Sequence, residues 1–154
     1  MSEIPFRGMI KRFLNDFRAS VKPHFDFLVT ERHYRLVYDE VSDSFDNGLV
    51  IYESALLHIS VVRDRGEVGF KVRPQHQPHE FDAQILRHLL ESEYRFSSSR
   101  PMPFHSAPGQ AAFLRESLRD IERLFAPALS HETIRRGEAL KAERKAMIPK
   151  RPRP

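Results

Sequence analysis

The sequence predicts an α+β fold: N-terminal helices, a four-stranded antiparallel meander sheet, and C-terminal helices packed on one sheet face. Three observations predict it. Near both ends of the chain, apolar residues recur at steps of three and four, as on the buried stripe of a helix. Between them, runs of β-branched and aromatic residues alternate with turn-forming segments, as in strands joined by hairpins. The two strands that can be paired from sequence present one apolar and one polar face, so helices are needed on one side only. At 154 residues, the chain has the length of one domain and can bury a core without metal or disulfide support.

The first helix is expected over residues 6–21, where Phe6, Met9, Ile10, Phe13, Leu14, Phe17 and Val21 form one stripe opposite Lys11, Arg12, Asn15 and Asp16. Pro23 interrupts it and suits the first turn of a short second helix over 24–32, with Phe25, Leu28 and Val29 inward. The alternation in Phe25-Asp26-Phe27 leaves a strand as the alternative there. Tyr34-Arg35-Leu36-Val37-Tyr38 reads as the first strand. Residues 42–48 carry turn chemistry and end in Asn47-Gly48, a hairpin signal. Leu49-Val50-Ile51-Tyr52 is the second strand, residues 56–63 the third, and 68–73 the fourth, which Pro74 stops.

Strands three and four can be registered. With Arg65-Gly66 at the turn, Asp64 faces Glu67, Val61 faces Phe70, and Ile59 faces Val72. One face is then Leu57, Ile59, Val61, Val68, Phe70 and Val72; the other is His58, Ser60, Val62, Gly69, Lys71 and Arg73. A slip of one residue would set Ile59 against Lys71 and mix the faces, because the side-chain period is two.

The third part is helical. Residues 81–91 carry Ile85, Leu86, Leu89 and Leu90 on one stripe. Residues 97–109, rich in Ser and Pro, are expected to form a mobile loop. Residues 110–125 give a second stripe: Phe113, Leu114, Leu118, Ile121, Leu124 and Phe125. Ser130 is expected to cap a last helix over 131–147, whose thin stripe (Ile134, Leu140, Met147) implies a helix either weakly docked or extended from the domain. The organisation is a single domain over 1–147 and a basic, Pro-containing tail over 148–154, without internal repeats.

The formal charge is +4, from 25 Lys and Arg against 21 Asp and Glu. From residue 132 onward there are eight basic residues against three acids, so the rest of the chain is nearly neutral. A basic end attracts nucleic acid, acidic proteins or anionic lipid. The first residues lack the layout of a signal peptide, and no apolar run approaches the roughly 20 residues of a membrane span, so the expected location is cytoplasmic.

The absence of cysteine excludes disulfide scaffolds, thiolate metal sites and cysteine nucleophiles. No glycine-rich phosphate loop, nucleophile elbow or zinc-protease helix motif occurs. His76 and His79 are the candidates for transition-metal ligands, and a Pro-containing loop offers them no helical register for convergence. Asp43, Asp46 and Glu53 lie near one turn, but Phe45 occupies a place where a calcium loop needs an oxygen ligand. Asp64, Glu67 and Lys71 resemble fragments of a nuclease site, but the register puts the two acids at a hairpin tip. The sequence therefore designates no catalytic residue and no cofactor. The polar sheet face, with His58, Lys71 and Arg73, combines donors and positive charge and is the candidate partner surface. Single-stranded RNA readers add stacking aromatics to such a face; Tyr34, Tyr38 and Tyr52 supply them only if their strands turn that way.

Phe25-Asp26-Phe27-Leu28, Tyr34, Tyr52-Glu53-Ser54 and Val61-Val62-Arg63-Asp64-Arg65-Gly66 resemble a group of small uncharacterised bacterial α+β proteins, and Phe113-Leu114 with Ile121-Glu122-Arg123-Leu124-Phe125 fits the same group. The similarity runs to about residue 142 and leaves the tail aside. In size and composition the chain is also similar to cytoplasmic immunity proteins that neutralise toxins. Together these imply a non-enzymatic binding protein with a macromolecular partner, most simply another protein, with Phe104 in the loop as a further anchor. The alternative is a nucleic-acid-associated accessory protein that uses Lys145, Lys150, Arg151 and Arg153.

Overall fold

Alternation of apolar and polar residues through the middle of the chain builds one open antiparallel sheet. The computed structural model describes residues 17, 19–41, 48–64, 66–91 and 106–147. Most of the first helix expected from sequence, most of the 97–109 loop and the whole basic tail lie outside them; of that helix only residues 17 and 19–21 are described, and 17, 19 and 20 are helical. After two single helical turns, α1 (Lys22–Phe25) and α2 (Phe27–Thr30), come strands β1 (Arg35–Val41), β2 (Gly48–Glu53), β3 (Leu57–Asp64), β4 (Glu67–Pro74) and β5 (Phe81–Asp82). Helices α3 (Ala83–Leu90), α4 (Ala107–Leu124) and α5 (Ser130–Ala146) follow. Strand order follows chain order, β1-β2-β3-β4-β5.

The β3–β4 register is the one read from sequence: Asp64 pairs with Glu67, Val61 with Phe70, and Ile59 with Val72. Gly66 sits at the tip with φ 82°, a left-handed turn conformation that glycine adopts without steric penalty. The sheet has five strands, not four. Phe81 and Asp82 pair with Val72 and Lys71 before the chain turns into α3, so the helix expected from residue 81 begins at Ala83. Asp82 is its N-cap, with its carboxylate accepting the Ile85 N–H at 3.0 Å, which satisfies one of the donors a helix start leaves open.

Val50, Tyr52, Leu57, Ile59, Val61, Val68, Phe70, Val72 and Phe81 form the inner sheet face. They join Phe17, Val21, Phe25 and Leu28 from the N-terminal side, and Ile85, Leu86, Leu89, Leu114, Leu118, Ile121 and Phe125 from the helices, in one buried cluster. Each such side chain contributes roughly 1.5–3 kcal/mol on burial. The short helix expected over 24–32 is instead two turns broken at Asp26. The second long helix starts earlier than its apolar stripe: Ser106 caps it by accepting the Gly109 N–H at 3.3 Å, and residues 107–109 are helical, not loop.

The last helix docks, contrary to the weak stripe. Its buried residues are Thr133 and Gly137. Ile134 and Leu140 pack partly buried against the core, while Met147 stays 48% exposed. Ser130 does not cap it; Leu129 occupies that position, without a side-chain bond. Contact runs through polar groups and their stems. Lys141 Nζ lies 4.6 Å from the Phe81 ring centroid. Arg144 Nη1 donates to Asp82 Oδ2 at 2.7 Å and Gln84 Oε1 at 2.9 Å. Glu138 holds His79 at 2.9 Å and Lys141 at 3.1 Å. No helix among the described residues is long and apolar enough to cross a membrane.

Candidate functional site: the outer sheet face and its end cleft

The face of the sheet turned away from the helices can be read row by row from the register. One row is Tyr38, Ile51, Ser60, Lys71 and Asp82; a second is Glu40, Leu49, Val62 and Gly69; a third is Arg35, Glu53, His58 and Arg73. The sequence-derived face of His58, Lys71 and Arg73 is thus one side of a wider surface. Its middle is less polar than β3 and β4 alone imply. Leu49, Ile51 and Val62 are half-buried there, Tyr38 is 40% exposed, and none belongs to the core cluster. Of the three tyrosines considered as stacking groups, Tyr34 and Tyr52 are buried in the core and only Tyr38 lies opposite an outer-face residue.

A bulge sets the edge of this surface. Leu36 pairs with Tyr52 and Tyr38 with Ile51, so Val37 is an extra residue on β1. The bulge shifts the alternation, leaving Leu36, Val37 and Tyr38 consecutively exposed at 36%, 41% and 40%.

At the Arg35–Arg73 end of the third row, the surface falls into an open cleft of about 700 Å³ lined by His33, Arg35, Glu53, Ser54, Ala55, Arg73, Gln75 and His76. Its floor is the tight connection from β2 to β3. There Ser54 Oγ accepts the N–H groups of Leu56 and Leu57 at 3.2 and 3.0 Å, and Gln75 Nε2 donates to the Ser54 carbonyl at 3.0 Å. These bonds fix the floor in place. Two histidines among its lining residues are the only non-glycine residues at positive φ among the described residues: His33 at 62° and His76 at 65°. Each is held by neighbouring backbone bonds. Arg32 and Tyr34 donate to Phe27 and Leu28 carbonyls at 3.1 and 2.8 Å; Gln77 donates to Pro74 at 3.2 Å across the turn containing His76. A left-handed conformation costs an L-residue about 1–2 kcal/mol, and strain of this kind concentrates at functional sites.

The charges along the third row are loosely neutralised. Glu53 lies 3.9 Å from Arg35 Nη2 and 4.0 Å from His58 Nε2, both at the limit of an ion pair. Arg73 Nη1 donates to the Gln77 carbonyl at 3.1 Å, and the guanidinium carries further donors. Burial, and then the Arg73 cation, push the His58 imidazole below its ordinary range, against the opposing pull of Glu53 and Glu80. The neutral form of His58 is thereby favoured, and along the row it stands between the Glu53 anion and the Arg73 cation.

The remaining sequence candidates separate. His76 lines the cleft, whereas His79 is bonded to Glu138 on α5; among the described residues no three His, Asp or Glu side chains converge as metal ligands would. Lys71 is exposed on the outer face, opposite Ser60 and Asp82. Lys145 is exposed near the end of α5. Phe104, Lys150, Arg151 and Arg153 lie outside the described residues. Sequence reasoning missed His33, Arg35, Glu53, Ser54 and Gln75 as site residues. No protein family, characterised protein or solved structure matches the chain.

Proposed function

We propose that this is a non-enzymatic binding protein that engages a protein partner through the outer face of its sheet, in the manner of small immunity proteins. The observation that carries this reading is the composition of that face. Tyr38, Leu49, Ile51 and Val62 form a central apolar band, with Arg35, Glu40, Glu53, Lys71 and Arg73 around it. An apolar centre with a mixed-charge rim is the anatomy of protein–protein interfaces. Glu40 and Glu53 on the same surface would repel a phosphate backbone, so the face suits a protein better than a nucleic acid.

The nucleic-acid alternative finds less support within α5. Arg135 is paired with Glu132, Lys141 with Glu138 and Arg144 with Asp82. Of the residues that reading names, Lys145 is exposed near the end of α5, and Lys150, Arg151 and Arg153 lie beyond the described part of the chain.

The test is a single substitution, Ile51→Glu, which sets a charge in the band. Immobilised wild-type chain is expected to retain one protein from a host lysate that the variant does not retain, and the pair is expected to re-form from purified components. Equal retention by wild type and variant, or failure of the purified pair to bind, refutes the reading.

A further inference from the structure

The cleft has features the partner surface does not require. Arg35 and Arg73 stand in the same row but three strands apart, about 14 Å at roughly 4.8 Å per spacing. Both side chains line the cleft. Between them lie Glu53, which is shared at long range with Arg35 and His58, and the pinned Ser54–Ala55 floor. Ala55 is the one apolar lining residue, so the cleft offers donors and charge with little hydrophobic area. A volume near 700 Å³ far exceeds that of a single carboxylate or phosphate and falls in the range of small-molecule sites. Two of its lining residues, His33 and His76, have strained backbones. At His76, third residue of the 74–77 turn, glycine is the residue that local sterics favour.

We propose that the cleft binds an extended, polar ligand with two acidic groups, one to each arginine, and with His33 and His76 contacting it as further lining residues. Guanidinium groups suit this role because they grip carboxylate and phosphate oxygens with paired N–H donors. Glu53 in the middle disfavours a third acid there and sets the spacing that the ligand must have. Such a ligand is either an acidic stretch of polypeptide or a free linear dianion. The inference goes beyond the partner surface: Ile51→Glu, which tests that surface, leaves every lining residue of the cleft intact.

The experiment is a titration of the full chain, by isothermal calorimetry, with three probes: acetyl-Glu-Gly-Gly-Glu-amide, its single-acid analogue ending in Gln, and suberate, a linear dicarboxylate without peptide groups. The two-acid peptide is expected to bind at least fivefold more tightly than the single-acid one. Arg35→Gln and Arg73→Gln should each abolish that preference, while Arg136→Gln, on α5 and not among the lining residues, should not. Suberate that follows the same arginine dependence shows that the acid pair suffices; binding of the peptide alone assigns the site to polypeptide. Either result supports the proposal. His33→Gly and His76→Gly serve as the second arm. They relieve backbone strain, so their melting temperatures should be unchanged or raised, while binding weakens at least threefold. No two-acid preference in the wild type, a preference that survives both arginine substitutions, or full binding by both glycine variants overturns it.

Discussion

Substituting Gly137 by alanine tests how the last helix is held, because two arguments predict opposite signs. In an exposed helix interior, Gly→Ala stabilises by about 0.8–1 kcal/mol through backbone entropy and propensity. The chain around residue 137 reads as such a helix: polar, with a thin apolar stripe. In the structure, however, a Cβ at Gly137 would stand 2.9 Å from Phe81 Cδ1 and Cζ, and closer still to Cε1. The ring cannot yield easily. It stacks on Phe125 at 5.8 Å between centroids, carries Lys141 Nζ on its face, and belongs to a residue fully buried and paired in β5. Overpacking a locked core site costs about 1–3 kcal/mol, and a backbone-close clash lies at the upper end. Setting about 3 against about 1, we expect Gly137→Ala to destabilise by about 2 kcal/mol, or roughly 4–8 °C in melting temperature for a chain this long. Chemical denaturation followed by circular dichroism measures it. Ala142→Gly, at an exposed position of the same helix, is the control and should cost only about 1 kcal/mol. In a Phe81→Leu background the alanine penalty should shrink by half or more, because the clashing ring atoms are gone. A Gly137→Ala variant as stable as wild type, or more so, would show that α5 does not rest on Phe81 as described.

Three other outcomes follow from the same packing. The Tyr52 hydroxyl is buried and finds no hydrogen-bond partner among the described residues, and burial with the Asp26 and Asp39 carboxylates nearby pushes its ionisation upward; Tyr52→Phe removes an unsatisfied group and should stabilise by about 1 kcal/mol, as read from a denaturation midpoint. Asp82 both caps α3 and anchors Arg144, so Asp82→Ala should cost about 1–2 kcal/mol from the lost cap alone and should speed proteolysis within α5. His58 has a folded pKa below its ordinary value near 6.5, so the unfolded chain takes up a proton first on acidification. Stability is then fully present above about pH 6.5 and declines as pH falls toward the lower folded value. The wild type should therefore lose more stability between pH 7.5 and 5 than His58→Gln does, and identical slopes would contradict the assigned environment.

Some of this architecture is legible in the residues and some is not, for separable reasons. The β3–β4 register is legible because a one-residue slip would take Ile59, Val61, Phe70 and Val72 off a common face, and the tight turn between Asp64 and Glu67 selects among the alignments that remain. The stripe of α4 is legible because Leu114, Leu118 and Ile121 are buried by apolar area, which is what periodicity measures. The docking of α5 escapes that measure. Its contacts run through a missing Cβ at Gly137, a Thr133 hydroxyl bonded to the Leu124 carbonyl, and the stems of Lys141 and Arg144. A hydropathy pattern counts none of these as core. Strand β5 escapes for another reason: two residues are too few for an alternation, and Phe81 also continues the helical stripe of Ile85.

The candidate site divides along the same line, and the division says what kind of site it is. His58, Lys71 and Arg73 follow from strand alternation alone. Arg35 and Glu53 join their row only through a sheet register that a one-residue bulge at Val37 disturbs, and no propensity rule places that bulge. His33 and His76 are harder still. Their left-handed backbones are imposed by hydrogen bonds from Arg32, Tyr34 and Gln77 to carbonyls upstream, and glycine, the residue that would announce such a turn, is absent from both positions. Local preference and global fold normally agree in a natural sequence, and disagreement marks places where something other than stability is being held. Here two such disagreements fall on lining residues of one cleft, at the edge of an outer face whose apolar centre the core does not use. Their convergence on the end of the Arg35–Arg73 row is the reason to seek the ligand there and the partner on the adjoining face.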